Sequence, residues 1–289
     1  MPSNQQRREA AKRKLERQLE RRAERARKRK QMTIIGSVVG VVVVVAIGAV
    51  VVTLSGKDED KSTENTAASQ TQTAGALPTA RAEALPNLVN CTYTPDGSEA
   101  SKPNTPPRTE GIDTTVATVS ASMETSQGNV GLTLNNAESP CTVNNFISLA
   151  SQGYFDGTSC HRLTTGDSLQ VLQCGDPTGT GTGGPGYGFA NEFPTDQYAA
   201  GDPALSAPAS YPRGTLAMAH SSMPDSNGSQ FFMVYGDSQL PPDYTVFGTI
   251  DETGLATLDK IAAAGNDSSS QPGDGKPNLP IEITSVRLD

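Results

Sequence analysis

The stretch from Met32 to Leu54 constrains this chain more than any other. It contains no charged residue and is dominated by Val38-Val39, Val41 to Val45 and Val50 to Val52. As a helix rising about 1.5 Å per residue, it is long enough to cross a hydrocarbon core of about 30 Å. A secretory signal peptide has a shorter apolar core, about 7–15 residues, and ends at a small-residue cleavage site. Here the apolar run is longer, no clean Ala-x-Ala directly follows it, and the basic region before it is unusually long. The segment therefore reads as an uncleaved anchor. A cleaved leader, and hence a released protein, is the alternative.

Charge is divided at this segment. Residues 1–31 hold 13 of the 23 Lys and Arg but 4 of the 31 Asp and Glu, which leaves 10 basic and 27 acidic residues for the remainder. Arg25, Arg27, Lys28, Arg29 and Lys30 abut the apolar run. The positive-inside rule then places residues 1–31 in the cytoplasm and everything after residue 54 outside, as a single-pass protein of the cell membrane. Residues 7–30 are good helix formers with few apolar side chains and suit a solvated helix near anionic headgroups. The acidic body argues against nucleic acid as a ligand.

Cys91, Cys141, Cys160 and Cys174 form an even set on the external side, which favours disulfides, and three pairings are open. They lack Cys-x-x-Cys spacing and the only histidines are His161 and His220, so no metal site is expected. Residues 55–111 are rich in Ser, Thr, Ala, Pro and charge and read as a disordered tether. Cys91-Thr92-Tyr93 interrupts them and suggests that part of the tether is pinned to the domain at 112–289.

From Thr114 onward the pattern turns to strands. Val116, Val119 and Met123 lie in a β-branched run, and Val130, Leu132 and Leu134 alternate. Ser139-Pro140 opens a helix with a capping residue and a proline at its first position, and Gly153 ends it. Val143, Phe146, Ile147 and Ala150 form its buried stripe. Strands follow over Thr215 to Ala219, Phe231 to Tyr235 and Thr245 to Ile250. A second helix spans about Gly254 to Ala264, with Leu255, Leu258, Ile261 and Ala262 inward. Ile281, Ile283, Val286 and Leu288 mark a closing strand. Many short strands with two helices argue for a mainly β fold, a closed antiparallel barrel capped by the helices.

Three ordered segments carry the chemistry: Cys160-His161-Arg162-Leu163, Gln173-Cys174-Gly175-Asp176 and Asn227-Gly228-Ser229-Gln230-Phe231-Phe232. Together they resemble the active face of the cyclophilin-type peptidyl-prolyl isomerases, over roughly Thr115 to Leu288. The arrangement with its anchor looks like the membrane-tethered cyclophilins of high-GC Gram-positive bacteria. The resemblance implies an eight-stranded barrel with two helices, activity without cofactor or metal, and proline-containing polypeptides as substrates. Cys160 with Cys174 is the preferred pairing, because both should sit near adjacent strands beside the active face.

Such an enzyme must lower an amide rotation barrier of about 18–20 kcal/mol. It needs an apolar seat for the proline ring and a donor aimed at the prolyl nitrogen, whose lone pair is released as the bond twists. Arg162 matches the family arginine in that role, with a permanent charge and a planar fork of donors. Phe232 matches the floor of the pocket. Val171 stands where methionine is usual, and Leu240 matches an apolar wall. Gln173 and Gln230 match polar residues that position the arginine and the substrate backbone. Ala219 and His220 match an alanine-asparagine pair that grips the peptide through its backbone. Tyr244 replaces a histidine at the pocket edge. Phe231 should face the opposite side of its strand, and His161 reads as a satisfied structural histidine.

Several departures stand out. The interval from Arg162 to Gln173 is three residues longer than the family spacing, so the first pocket phenylalanine has no counterpart and Leu169 or Gln170 must serve. Gln239 stands in place of the family tryptophan, which implies weak cyclosporin binding. The glycine-rich stretch from Thr178 to Gly188 lacks the Lys-Ser/Thr of a nucleotide loop and suits a long loop beside the substrate groove. The expected function is isomerisation of X-Pro bonds in secreted or envelope proteins. The alternative is a non-catalytic proline-peptide-binding or chaperone module at the membrane surface.

Overall fold

The computed structural model describes residues 74–199 and 201–289. The expected basic segment, membrane helix and first part of the tether lie outside the described residues. Among the described residues no helix is long and apolar enough to cross a membrane.

One curled sheet of ten strands dominates. In chain order these are β1 (Val119–Thr125), β2 (Gly128–Leu134), β3 (Thr158–Ser159), β4 (Arg162–Thr164), β5 (Gln170–Cys174), β6 (Thr215–Met218), β7 (Phe231–Gly236), β8 (Val246–Ile250), β9 (Asp274–Gly275) and β10 (Glu282–Leu288). They are hydrogen-bonded in the order β9-β4-β5-β7-β6-β8-β2-β1-β10-β3, with antiparallel neighbours throughout. β3 and β4 are separated by Cys160 and His161 alone, yet one lies at an edge and the other beside the opposite edge. The backbone N–H of Cys160 donates to Ile281, just before β10, and that of His161 to Gln173 on β5, so this short stretch bonds to segments from opposite halves of the sheet order. The strand count exceeds the expected eight because β3 and β9, of two residues each, extend the ends.

Two helices pack on the sheet. α1 (Pro140–Ser151) buries Val143, Phe146, Leu149 and Ala150, and α2 (Glu252–Ala263) buries Leu255, Leu258 and Ile261. The α2 N-terminus is capped by Asp251, which accepts from Gly254 N at 2.7 Å. At α1 the capping expectation is corrected. Ser139 holds the N-cap position, but its hydroxyl donates to the Val246 carbonyl at 2.9 Å. The cap comes from Glu192, whose carboxylate accepts from Cys141 N at 3.0 Å and from Thr142 N and Oγ1 at 2.7 Å each. A carboxylate there satisfies orphan donors and complements the positive end of the helix dipole.

Residues 74–113 lie on the domain as a strap, which extends the pinning expected at Cys91-Thr92-Tyr93. Gly75–Ala76 pairs in parallel with Ala209 and Ser210, Thr94–Pro95 with Tyr187 and Gly188, and Leu88–Val89 with Ile112–Asp113. A disulfide joins Cys91 to Cys141, the first residue but one of α1. Tyr93 packs edge-on against Tyr187 and Phe189 and donates its hydroxyl to Cys141 O at 2.7 Å. Composition alone misses this because a few anchoring side chains and one cross-link hold an otherwise polar segment. Val116, expected in a strand, lies before β1 and is exposed.

Period-two alternation on the central strands separates two apolar clusters. Phe231, Met233 and Tyr235 of β7 join the main core with Phe146, Phe155 and Phe247. Phe232 and Val234 face the other side, with Val171, Ala217 and Tyr211.

Candidate active site

The antiparallel register lines up one row of side chains across four neighbouring strands. Arg162 on β4 is opposite Gln173 on β5, Gln173 is opposite Phe232 on β7, and Phe232 is opposite Ala217 on β6. Residues directly opposite share a face of the sheet, so the guanidinium, the amide and the phenyl ring stand in one line.

A cavity of about 140 Å3 opens over this row. It is lined by Arg162, Leu169, Val171, Gln173, Ala219, His220, Phe232, Leu240 and Tyr244. Phe232 forms its floor, 4 % exposed, with its ring 5.6 Å from that of Tyr244 in an edge-on arrangement. Burying such a side chain contributes about 1.5–3 kcal/mol, so the aromatic floor also holds this face together. Leu169 takes the place of the missing pocket aromatic, while the Gln170 side chain lies against Gly236. The added residues after Arg162 close as a hairpin through a Gly166–Leu169 bridge. Gln239 is exposed, and its N–H donates to Ser168 O at 2.8 Å.

Polar contacts order the row. Arg162 Nη1 donates to Gln173 Oε1 at 3.2 Å, and Gln173 Nε2 donates to Gln230 Oε1 at 2.9 Å. Gln230 Nε2 in turn donates to the carbonyls of Gly181 and Gly183, each at 3.0 Å. That glycine-rich loop is shaped by Asp176, whose carboxylate accepts from Thr178, Thr180, Gly181 and Gly183 N–H groups. Burial pushes the Asp176 pKa up, but the bonds from Thr178, Gly183 and Gly181 outweigh it and hold the group below the usual carboxylate value. Gly175 beside it has φ of 90°, and a Cβ there would run into the Ser229 carbonyl, so the motif needs glycine.

Gln230 does not line the small cavity. It borders a larger open groove of about 900 Å3 that adjoins it at Gln173, Ala219 and His220. Ala219 N donates to Gln230 O at 2.9 Å. Both His220 ring nitrogens face carbonyls, of Ser221 at 2.6 Å and Asp243 at 2.7 Å, and the ring lies 4.7 Å from that of Tyr244. His161 departs from its expected satisfied state, since neither ring nitrogen has a hydrogen-bond partner. Burial lowers its pKa, which favours the neutral ring. A disulfide joins Cys160 to Cys174 next to Arg162 and Gln173. Among the described residues no group of three or more His, Cys, Asp or Glu is placed to hold a metal ion.

Asp274, absent from the sequence reading, completes the site. Its carboxylate receives Arg162 Nε at 2.8 Å and Nη2 at 2.7 Å. Its signal in the sequence is weak, an aspartate between two glycines of a polar turn.

The family model described as cyclophilin type peptidyl-prolyl cis-trans isomerase/CLD matches residues 120–288. The chain belongs to the cyclophilin-type peptidyl-prolyl cis-trans isomerase family. It is 64 % identical over 201 residues to a probable peptidyl-prolyl cis-trans isomerase B of Mycobacterium leprae, covering 70 % of this chain and 67 % of that protein. It is 63 % identical to the corresponding protein of Mycobacterium tuberculosis, again over 70 % of this chain and 64 % of the relative. The chain thus spans about two thirds of the length of these relatives. A solved cyclophilin type isomerase from Cryptosporidium parvum shares 29 % identity, covering 60 % of this chain and 98 % of that one, with a TM-score of 0.47. The expected enzyme class rests on this membership, and the mainly β cyclophilin-like fold with two helices is the fold described above.

Proposed function

We propose that this cyclophilin-type protein accelerates cis/trans rotation of X-Pro bonds in secreted or envelope polypeptides, with Arg162 donating to the prolyl nitrogen. The observation that carries the reading is the row Arg162–Gln173–Phe232 under one small apolar cavity. The proline ring packs on Phe232 against Val171, Leu169 and Leu240, with water excluded. As the amide twists, its nitrogen becomes pyramidal and exposes a lone pair. A guanidinium N–H held beside it stabilises the twisted state more than the planar one. The adjoining groove takes the extended peptide, with Ala219 and His220 offering backbone contacts.

Measuring exchange of an Ala-Pro peptide by NMR, with the full chain and its Arg162→Ala variant, tests this. Acceleration by the parent, lost in a folded variant, supports it. Peptide binding without acceleration promotes the binding-module reading instead. Cyclosporin should bind weakly because Gln239 lacks the indole donor, and inhibition at low drug concentration would overturn that.

The same proposal places the domain outside the membrane, held by the helix at 32–54 with residues 1–31 in the cytoplasm. Two disulfides, with no free cysteine among the described residues, support an oxidising setting. Protease added to intact cells should remove the domain and spare residues 1–31.

A further inference from the structure

An arginine side chain carries five N–H donors, and protein acceptors take three of those on Arg162. Nε and Nη2 donate to the two oxygens of Asp274, and Nη1 donates to Gln173. One N–H on each terminal nitrogen is left, and Arg162 is among the residues that line the proline cavity. A bidentate contact fixes the plane of the fork as well as its distance.

Asp274 is built for this contact. Its side chain is 10 % exposed. On β9 it lies opposite Thr164, two residues beyond Arg162 on β4, and therefore on the same face of the sheet. The turn that carries it is tied down on both flanks. Asp267 Oδ1 accepts from Ser269 N at 3.0 Å and Lys276 N at 2.8 Å, and Thr165 N donates to Gly273 O at 2.8 Å. Asn266 Nδ2 donates to Leu163 O at 3.1 Å. A Cβ on Gly275 would run into the Asp267 carboxylate, so the turn closes only around glycine.

We propose that Asp274 is a positioning residue of the isomerase reaction. Its carboxylate clamps the Arg162 guanidinium so that the two remaining N–H groups are presented to the prolyl nitrogen without being ordered anew in each turnover. The pairing also keeps the charge compensated beside an apolar cavity. This rests on the Arg162 mechanism proposed above.

The test compares the full chain with Asp274→Ala, Asp274→Asn, Asp274→Glu, Arg162→Ala and, on the same turn, Gln271→Ala. kcat and KM are measured for an Ala-Pro peptide, together with the side-chain Nε–H signal of Arg162 by NMR. Asp274→Ala and Asp274→Asn should lower kcat about tenfold or more, as expected when a reacting group is misplaced. KM should stay within about twofold. Asp274→Glu should recover part of the loss, and Gln271→Ala should change neither constant. The Arg162 Nε–H signal should be protected from exchange in the parent and lose protection in Asp274→Asn. A folded Asp274→Ala with parental kcat overturns this proposal alone, as does a loss confined to KM or shared by Gln271→Ala. An inactive parent, or an active Arg162→Ala, overturns the isomerase mechanism and this proposal together.

Discussion

Gln173 uses both ends of its amide: the oxygen accepts from Arg162 Nη1 at 3.2 Å and the nitrogen donates to Gln230 Oε1 at 2.9 Å. The oxygen must therefore face the cation and the NH2 the second amide, because the reverse orientation would set donor against donor. Gln173→Leu should keep the fold and lower kcat/KM about tenfold, since a hydrogen bond to a charged group contributes about 1.5 kcal/mol or more. Steady-state kinetics at matched thermal stability checks this. An unchanged kcat/KM would leave Gln173 a bystander.

Glu192 ties α1 to the loop before β6. Removing it by Glu192→Ala strands Cys141 N, Thr142 N and Thr142 Oγ1, all at a helix N-terminus. The expected cost is about 2 kcal/mol, the price of leaving buried donors unsatisfied. Denaturant unfolding measures it, and a change below about 0.5 kcal/mol, the range of an ordinary surface substitution, would show that the helix is capped by other means.

Asp176 links pH to the glycine-rich loop. Its folded-state pKa lies below the ordinary carboxylate value, as its bonds from Thr178, Gly183 and Gly181 outweigh burial. The unfolded chain therefore binds this proton more readily. The contribution is fully present above the unfolded value, about pH 4, and is lost as pH falls through the folded value. Asp176→Asn should lower stability at pH 7 and flatten the acid limb of the stability curve below the ordinary carboxylate value of about pH 4. Parallel acid limbs for the two proteins would count against the assignment.

The strap is cross-linked across 50 residues by Cys91–Cys141. In the chain-entropy picture a loop of that length contributes about 4 kcal/mol. Cys141→Ser should lower stability by a large part of that and expose Tyr93 and Leu77 to solvent. Hydrogen exchange at residues 74–113 would report the loosening. Full protection of the strap without the disulfide would assign its attachment to strand pairing and packing alone.

Legibility in the sequence followed the range of the interactions. The helix at Pro140–Ser151, the strand at Phe231–Gly236 and the opposed facing of Phe231 and Phe232 were readable because local periodicity dictates them. α2 starts at Glu252, two residues before the Gly254 that its apolar pattern marks, since Asp251-Glu252 carries a capping signal rather than an apolar one. Arg162, Gln173, Phe232, Val171, Leu240 and Tyr244 were singled out from motif and order, and the structure brings them round one cavity. Of the three pairings open in the sequence, the favoured Cys160 with Cys174 is the one the structure shows, and Cys91 with Cys141 follows.

By itself the sequence determined the alternation that gives the central strands two faces, the helix stripes and the residue types a proline site requires. It also determined the division of charge about Met32 to Leu54. Tertiary structure alone decided that Asp274 clamps Arg162, that Glu192 rather than Ser139 caps α1, and that residues 74–113 belong to the domain. The physical reason is the same in each case. A hydrogen bond or disulfide between distant residues leaves no local periodicity, and only the register of folded strands brings its two partners within reach.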